Sequence, residues 1–348
     1  MPNPTVAAGY PKAFLDFAVS KGADRELLIE RSRISPDDLN HQDNRIPLTN
    51  YVDLVKAGIE SCNEPALSLL FGEAVMLQEV SLVGLIGVAF ENVESMRRLV
   101  NRYAPLTLDT DEGTNMDAVE FVREDRDVWL KFTSDVYAAN PLLIESGFAR
   151  NVCGARGLMA SLPDFAHLKF PKAIRFTYPE PSYRAEYDRI FGVPLFFNSH
   201  MNALQMDEAL LSMKLPRTNP YLSEVMSARA EELLKSLEMS KTMRGRVENL
   251  LIPVLHTGEV SMDVIAVKLG VSRQTLFRKL KVEGITFEKV LDELRHKLAL
   301  HYLNEKQAPV NQTAYLVGFS EPAAFSRAFK RWTGSSPRTY VSRSNLAK

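Results

Sequence analysis

The sequence predicts an α+β domain of mixed helices and antiparallel strands, followed by an all-α domain with two helix-turn-helix units joined by a linker helix. Three observations predict this fold class. Apolar residues recur at helical spacing along most of the chain, and at a period of two only in its middle part. Helices and strands follow no regular βαβ order. The C-terminal part contains one helix–turn–helix pattern twice, and 348 residues suffice for two domains.

The composition is that of an ordinary globular protein, with 45% hydrophobic residues. No apolar run reaches the ~18 residues that a membrane helix needs. The N-terminal segment MPNPTVAAGYPK lacks the pattern of a secretory signal. Cys62 and Cys153 form no motif, so we expect buried free thiols rather than a disulfide. These features predict a cytoplasmic protein with no membrane partner.

The net charge of −1 hides a strong asymmetry along the chain. Residues 240–348 hold 18 Lys and Arg against 9 Asp and Glu, a net charge of +9, and the remainder carries −10. A basic module joined to an acidic one is typical of a nucleic-acid-binding domain linked to something else. Because the acidic part repels DNA, we expect it to lie away from the duplex.

The first domain, residues 1–213, begins with amphipathic helices. Periodicity predicts them over residues 11–21, 24–32, 49–62 with Thr49 as N-cap, 65–72 and 93–106. The apolar run 81–90 contains Gly84 and Gly87. A tightly packed core helix and a backbone surface close to a ligand would both explain these glycines. We favour the packed helix.

Strand-like alternation follows in the same domain. Residues 106–110, 117–122 and 128–133 alternate with a period of two, and turns at 111–115 and 124–127 would join them into an antiparallel meander. Further on, the pattern predicts a helix over 141–162, a strand over 173–178, a helix over 183–191 and short strands over 193–198 and 203–206. One aromatic cluster falls here, for which we favour core packing over a ligand pocket: Tyr178, Tyr183, Tyr187 and Phe191.

Residues 214–240 are predicted to form a linker and a connecting helix. The segment KLPRTNP at 214–220 carries two prolines and is typical of an interdomain linker. The helix predicted over 221–239 has one apolar stripe. Such a stripe is explained equally by a contact between two copies of the chain and by packing within one chain, so a homodimer stays open.

The third segment, residues 241–343, contains the two repeated units. The first, at about 262–283, has a helix over 262–269, a turn at Gly270-Val271 and a second helix capped by Ser272. Leu276 and Leu280 form the inner face of this second helix. The amphipathic stretch 286–304 then follows, and we expect it to hold the two units rigidly apart.

The second unit, at about 310–333, repeats this order. A helix over 310–317 is followed by a turn at Gly318-Phe319, with Ser320 as N-cap and Pro322 in the first helical turn. One apolar face carries Phe325, Phe329 and Trp332. Gly334 should end this helix, and Pro337 should prevent its continuation.

Short helices with an apolar anchor and basic residues turned outward suit the major groove of DNA. Arg278 and Arg327 hold comparable places, 49 residues apart, and arginine donates bidentately to guanine, whereas Gln274 suits adenine. Glu321 has two explanations that remain open, an acceptor for cytosine and a first-turn charge favoured by the helix dipole. The candidate DNA contacts are Ser272, Arg273, Gln274, Thr275, Arg278, Lys279, Ser320, Glu321, Ser326, Arg327, Lys330 and Arg331.

Residues 244–343 resemble the DNA-binding domain of the AraC/XylS family of bacterial transcription regulators. In the first unit and the linker helix, the resemblance is carried by Ile265, Ala266, Leu269, Gly270, Val271, Ser272, Leu276, Arg278, Arg295, Ala299 and Leu303. In the second unit it is carried by Gly318, Phe319, Phe325, Arg327, Phe329, Lys330, Gly334, Ser336, Pro337 and Tyr340. Val341 departs from the pattern, because members often carry arginine there; the change removes at most one basic contact.

Residues 20–210 resemble, more loosely, the "arabinose-binding domain" type of N-terminal region found in one branch of this family. The residues that carry this likeness are Arg45–Leu48, Pro65–Leu67, Gly72, Glu73, Gly84–Gly87, Tyr183, Tyr187, Phe191–Pro194, Phe197 and Asn202–Leu204. The resemblance implies a regulator that binds double-stranded DNA and contacts RNA polymerase, more often as an activator. It also implies a small-molecule effector bound by the N-terminal domain, without naming the effector or its contacts.

No motif for catalysis, metal binding or cofactor binding is present. The six histidines form no HExxH-like ligand set, and the sequence has no GxGxxG, P-loop or GxSxG segment. We therefore expect no catalytic residue, metal or cofactor. Two alternatives remain open at this point: an N-terminal enzyme fused to a DNA tether, and a constitutive DNA-binding protein whose N-terminal domain is purely structural.

Overall fold

A computed structural model describes residues 4–87, 92–110, 117–125, 127–162, 165, 167–212, 214, 220–258, 260–304 and 306–346. The chain divides into two units, Met1–Leu234 and Lys235–Lys348. Strands and helices mix in the first unit, and the second is built from helices. The predicted fold class is thereby confirmed.

Eleven of the described helices begin in the first unit. They are α1 (Gly9–Ser20), α2 (Arg25–Ser32), α3 (Leu48–Cys62), α4 (Leu67–Ala74), α5 (Leu77–Val80), α6 (Leu82–Gly87), α7 (Val93–Thr107), α8 (Asp135–Ala138), α9 (Pro141–Ala160), α10 (Arg184–Phe191) and α11 (Pro220–Lys241). The buried faces of α1, α3 and α4 share one core, in which Phe14 packs edge-on against Tyr51 and Phe71.

The described strands form two sheets. The smaller has the order β2-β1-β3 and is antiparallel, with β1 (Thr5–Ala7), β2 (Arg45–Pro47) and β3 (Leu108–Asp109). The larger has the order β4-β5-β8-β6-β7, with β4 (Val119–Glu124), β5 (Asp127–Phe132), β6 (Ile174–Arg175), β7 (Leu195–Phe196) and β8 (Asn202–Met206). Its pairs are antiparallel except for β6 with β7. Helix α9 packs on this sheet through Phe148, whose ring contacts Phe132 and Phe176.

The predicted three-stranded meander is wrong in its first strand. Helix α7 continues to Thr107, and β3 pairs with β1 rather than with β4. Arg45 links β1 to the end of α7, directly before β3: the guanidinium donates to the carbonyl oxygens of Leu106 at 2.7 Å and Thr5 at 2.6 Å. Strands of two or three residues are too short to show a period in sequence, so β1 and β2 were not predicted.

Other local predictions can be compared with the described residues. Thr49 is not the N-cap of α3, because the helix begins at Leu48 directly after Pro47. The packed interpretation of Gly84 is confirmed, since a Cβ there would lie 2.1 Å from the carbonyl oxygen of Leu77. The predicted turn at 111–115, the end of the apolar run at 88–90 and most of the linker at 214–220 lie outside the described residues.

The second unit contains seven described helices after α11. They are α12 (Met243–Leu251), α13 (Met262–Lys268), α14 (Arg273–Val282), α15 (Phe287–Asn304), α16 (Val310–Leu316), α17 (Pro322–Thr333) and α18 (Pro337–Leu346). Gly334 ends α17 in the left-handed region, at φ 78°, as predicted. Pro337 does not continue α17 but begins α18. Proline is disfavoured inside a helix and favoured at its first position.

Within the described ranges, every helix is either too short or too polar to span a lipid bilayer. Helix α11 has an apolar face that packs inside the first unit, where Ala230 and Leu234 lie against Val83, Ile86 and Tyr103. Its Glu231 carboxylate binds the Arg102 guanidinium and accepts a hydrogen bond from the Tyr103 hydroxyl at 2.7 Å. The packing explanation therefore holds for this part of the stripe.

Candidate nucleic-acid interface

Helices α13 and α14 form the first helix-turn-helix unit. Ser261 caps α13, with its hydroxyl oxygen accepting from the Val264 amide at 3.3 Å. Gly270 takes φ +66° in the turn, a left-handed conformation that glycine adopts without a Cβ penalty. The Ser272 hydroxyl accepts from the Thr275 amide at 3.1 Å, so Ser272 is the N-cap of α14, as predicted. The turn and cap together fix where α14 begins.

The inner face of α14 is anchored by fully buried leucines. Leu276 and Leu280 pack with Ile265 and Ala266 of α13 in one cluster, which leaves the opposite face of α14 outside the core. Buried aliphatic side chains of this size each contribute about 1.5–3 kcal/mol. The burial of these two leucines therefore fixes the orientation of α14, and the polar residues on its exposed face do not.

On the outward face of α14, some side chains form polar contacts within the protein and others have no such partner among the described residues. Arg273 forms an ion pair with Asp263, and the Thr275 hydroxyl lies 2.9 Å from that of Ser272. Gln274, Arg278 and Lys279 are exposed and have no hydrogen-bond or ion-pair partner among the described residues.

Phe277 is a member of this face that sequence reasoning missed. Its side chain is 53% exposed, although it stands beside the buried Leu276. The spacing of three from Gln274 was an available signal, because residues i and i+3 lie on one helical face. An aromatic side chain held in solvent between polar neighbours suits an apolar contact with a thymine methyl group.

Helices α16 and α17 form the second unit, and its turn is more constrained than the first. Gly318 takes φ +79°, and a Cβ there would lie 2.3 Å from the carbonyl oxygen of Leu255. Arg295 of α15 donates from Nε to the Val317 carbonyl at 3.1 Å and from Nη2 to the Gly318 carbonyl at 3.0 Å. Its guanidinium also lies 4.8 Å from the centre of the Phe319 ring. Burial lowers the pKa of Arg295.

The start of α17 differs in one detail from the prediction. The N-cap is Glu321 rather than Ser320, and the Glu321 side chain makes no capping hydrogen bond. Pro322 occupies the first helical position, where its missing amide leaves one unpaired helix donor fewer. Ser320 and Glu321 are both exposed at this end of the helix.

The inner face of α17 is aromatic, as predicted. Phe325 and Phe329 are fully buried, and Trp332 is half-buried against both rings. On the other side, Arg327 and Lys330 are exposed and have no hydrogen-bond or ion-pair partner in the described part of the chain. The Ser326 hydroxyl donates to the Pro322 carbonyl at 2.9 Å, and Arg331 pairs with Asp292 at 2.6 Å.

The linker helix α15 contributes side chains to both cores. Val290 and Leu294 belong to the cluster of the first unit, whereas Ala299 and Leu303 belong to that of the second. Leu291 and Leu298 pack against both clusters, so α15 contributes to the cores of both units. The expectation of a rigid connection between the units therefore has a packing basis.

Helix α12 was not predicted, and it fixes the far end of α14. The Glu283 carboxylate, just after α14, accepts from the backbone amides of Met243 at 2.6 Å and Arg244 at 2.9 Å. These amides open α12, where a carboxylate is favoured by the helix dipole. Arg244 in turn pairs with Glu248 at 2.7 Å and with Glu293 of α15 at 2.8 Å.

The described residues contain no group of three or more His, Cys, Asp or Glu side chains that could hold a metal ion. Cys62 and Cys153 are free thiols and only partly buried. Burial raises the pKa of both thiols.

Comparisons with known proteins agree with this division of the chain. The family described as "Arabinose-binding domain of AraC transcription regulator, N-term" matches residues 22–215, and a "Helix-turn-helix domain" family matches residues 265–343. The ornithine utilization regulator of Pseudomonas aeruginosa is 28% identical over 342 residues, which is 96% of each chain.

Two further similarities are more limited. The transcriptional activator RhaS of Escherichia coli is 34% identical over 122 residues, covering 34% of this chain and 42% of its own. The crystal structure of the transcriptional regulator CdpR from Pseudomonas aeruginosa is 21% identical, with a TM-score of 0.39, and covers 90% of this chain and 95% of its own. With one family matching more than half of the residues and a helix-turn-helix family matching the C-terminal unit, the chain belongs to the AraC family of DNA-binding bacterial transcription regulators.

Proposed function

We propose that this regulator activates transcription by binding double-stranded DNA with both helix-turn-helix units, under the control of a small molecule bound by its N-terminal domain. The observation that carries the DNA-binding geometry is the contrast on α14 and α17. Each helix buries an apolar face, while Arg278, Arg327 and Lys330 extend into solvent without a partner in the described residues. Cations without a protein partner can bind phosphates or bases without first breaking an ion pair within the protein, and their binding to DNA phosphates releases counterions.

The two kinds of basic residue take different roles in this proposal. Arg278 and Arg327 read guanine, and Gln274 reads adenine, from helices lying in successive major grooves about 34 Å apart. Lys279 and Lys330 neutralise phosphates and fix the register. Arg273 and Arg331 are held by Asp263 and Asp292, so they serve first as structural ion pairs. Of the remaining candidates, Ser272, Thr275, Ser320 and Ser326 supply hydroxyls for phosphate contacts. For Glu321 the two roles stay open, an acceptor for cytosine and a charge favoured by the helix dipole.

Activation and effector control are the finer parts of the proposal. The similarity to RhaS, which is named an activator, supports activation. We propose that activation occurs in the cytoplasm through contact with RNA polymerase. The similarity to a regulator of ornithine utilization makes ornithine a reasonable first compound to test as an effector. We propose no catalytic step, and the exposed face of α11 stays available for a homodimer.

Genome-wide mapping of the sites bound by the tagged full-length protein tests the DNA-binding part. We expect enriched sites with two short conserved blocks about one helical turn, 10–10.5 base pairs, apart. The double variant Arg278→Ala, Arg327→Ala is the matched control and should lose these sites while staying folded. Bound sites that lack any shared sequence in the wild type would contradict sequence-specific recognition.

A reporter driven by one of these sites tests the control by an effector. The intact protein should respond to an inducer, whereas a fragment from Thr242 onward should not. The same inducer dependence in both would show that the N-terminal domain does not carry the response. A reporter that is active without any added compound would favour a constitutive regulator.

A further inference from the structure

Glu145, on α9, is a charged side chain in the interior of the first unit. It is 1% exposed. Helix α4 crosses α9 so closely here that a Cβ on Gly72 would lie 2.2 Å from the carbonyl oxygen of Ser146. The Glu73 carboxylate of α4 binds Arg189 of α10 at 2.6 Å, which holds α10 beside the other two helices. Glu145 therefore lies where three helices meet.

The hydrogen bonds of Glu145 are unevenly distributed. Its Oε2 accepts from the hydroxyls of Tyr183, at 2.9 Å, and Tyr187, and the Tyr187 hydroxyl lies 3.1 Å from that of Tyr178. Its Oε1 is buried and has no hydrogen-bond partner in the described part of the chain. A buried carboxylate oxygen without a donor is destabilising, so an unsatisfied atom of this kind marks a place for a missing partner.

No basic side chain neutralises Glu145 among the described residues. Arg150, the nearest buried arginine along α9, turns elsewhere: it donates to the Ser146 hydroxyl at 3.1 Å and stacks over Tyr10 and Phe71. Burial raises the pKa of Glu145 to about 7, with hydrogen bonds from Tyr187 and Tyr183 acting in the opposite direction. A cation beside Oε1 would favour the ionised carboxylate.

The side chains around Glu145 are aromatic. The rings of Tyr183 and Tyr187 lie 5.9 Å apart, and those of Tyr187 and Phe197 lie 5.6 Å apart. Aromatic faces next to a carboxylate are the usual recognition chemistry for organic ammonium groups. Tyr183 and Phe197 are half-buried, so this edge of the cluster reaches the surface. The guanidinium that lies over Phe197, from Arg184, is already neutralised by Glu180 and Asp188.

We propose that Glu145 anchors a cationic effector, whose ammonium group enters beside Tyr183, donates to the free Oε1 and lies against the tyrosine rings. This inference rests on the proposed effector control and names the chemical class of the ligand. Sequence analysis favoured core packing for Tyr178, Tyr183, Tyr187 and Phe191. Tyr178, Tyr187 and Phe191 are buried, and the additional element is the Glu145 carboxylate, which accepts hydrogen bonds from the Tyr183 and Tyr187 hydroxyls.

Thermal unfolding of the full-length protein with four small probes tests the inference. Putrescine and n-butylamine carry ammonium groups, while 1-butanol and butyrate have the chain of n-butylamine without one. At about 10 mM, we expect the two amines to raise Tm by about 2 °C or more, and the alcohol and the acid to leave it unchanged. The shift should be larger at pH 8 than at pH 6, because the Glu145 carboxyl, with a pKa of about 7, is mostly ionised at pH 8 and mostly protonated at pH 6. The other titratable side chains described in its hydrogen-bonded cluster are Tyr178, Tyr183 and Tyr187, and burial raises the pKa of each, so they stay neutral at both pH values.

Variants test whether the rise in Tm caused by the amines depends on Glu145. Glu145→Gln keeps the shape of the side chain and should abolish the amine shift, whereas Glu26→Gln, on the exposed face of α2, should keep it. Tyr183→Phe removes only the hydroxyl of a half-buried side chain, and it should reduce the shift even if Glu145→Gln does not fold. An amine shift that survives in Glu145→Gln, no shift with either amine, or stabilisation by butyrate instead would each overturn the inference.

The same assay separates this inference from the effector function itself. If amines fail while the reporter still responds to another inducer through the intact protein, the ammonium site is wrong and effector control stands. If the reporter is active without any inducer as well, both fail.

Discussion

The indole Nε1 of Trp332 donates a hydrogen bond to the Asp292 carboxylate at 2.8 Å, and this bond ties α17 to the linker helix α15. The other oxygen of the same carboxylate pairs with Arg331 at 2.6 Å. Asp292 thus accepts from two successive residues of the second recognition helix. The ring of His296, one turn further along α15, stacks on Trp332 at 5.2 Å.

Replacing Asp292 should therefore destabilise the second unit. Asp292→Ala leaves the Trp332 N–H without its charged acceptor, and we expect a loss of about 1.5–3 kcal/mol in the free energy of unfolding. Asp263→Ala is the matched control, because it removes an exposed pair with Arg273 that contributes about 0–1 kcal/mol. Urea unfolding of the full-length protein measures both. Equal losses in the two variants would show that the Trp332 bond adds nothing.

Two glycines with nearly the same backbone conformation should respond differently to alanine. Gly318 at φ +79° has the Leu255 carbonyl oxygen where a Cβ would lie, whereas Gly334 at φ +78° has nothing within 4 Å. Gly334→Ala should cost about 1–2 kcal/mol, the penalty for a left-handed residue. Gly318→Ala should cost about 3 kcal/mol or more, because the turn between α16 and α17 must also shift. Similar midpoints in urea would contradict the close approach to Leu255.

The stability of the first unit should fall as pH rises toward neutrality. Burial raises the pKa of Glu145 to about 7 from its ordinary value of 4.5, so the folded state binds a proton that the unfolded state has lost. The resulting stability is fully present below about pH 4.5 and is lost as pH rises through about 7, a change of roughly 3 kcal/mol.

The variant Glu145→Gln cannot titrate and should lack this decline, while Glu26→Gln should retain it. The measurement is the free energy of unfolding by urea between pH 4.5 and 8, taken as the difference between each variant and the wild type. A difference that stays constant over this range for Glu145→Gln would mean that the carboxyl group has the same pKa in the folded and unfolded protein, and would contradict the raised pKa.

A fragment from Thr242 to Lys348 should fold and bind DNA alone. The Thr242 hydroxyl accepts from the Gly245 amide at 2.9 Å and caps α12, and Glu283 completes that cap from within the fragment. Its core clusters draw only on residues from Met243 onward. Circular dichroism and a DNA-binding assay check the prediction. A fragment that is soluble but unfolded would count against a boundary at this residue.

Much of the second unit could be predicted from sequence because its signals are local. The capping of α14 by Ser272, the αL glycine at 334 and the aromatic stripe of Phe325 and Phe329 each depend on residues within a few positions of one another. Contacts between distant residues gave no such signal. The role of Glu283 at the start of α12, and of Asp292 under Trp332, became visible only once the helices were packed.

The first unit was harder to predict for the same reason. Its smaller sheet joins segments from three distant parts of the chain through strands of two or three residues, and Arg45 holds them through backbone carbonyls. The sequence predicted a helix over 141–162 but assigned no role to Glu145 within it. Its burial depends on α4 and α10 covering the polar side of α9, which no periodicity within α9 reveals.

The central claim, that α14 and α17 read bases while their lysines hold phosphates, is tested most directly by affinity against salt concentration. The binding of wild type, Arg327→Ala and Lys330→Ala should be measured on the operator, on single-base operator variants and on scrambled DNA. Arg327→Ala should lose about 1–3 kcal/mol on the operator, relax the preference at one base position and change nonspecific binding little. Lys330→Ala should weaken all sequences alike and lower the salt slope by about one unit. Equal losses on operator and scrambled DNA for Arg327→Ala, with base preferences unchanged, would make Arg327 a phosphate contact and contradict the account.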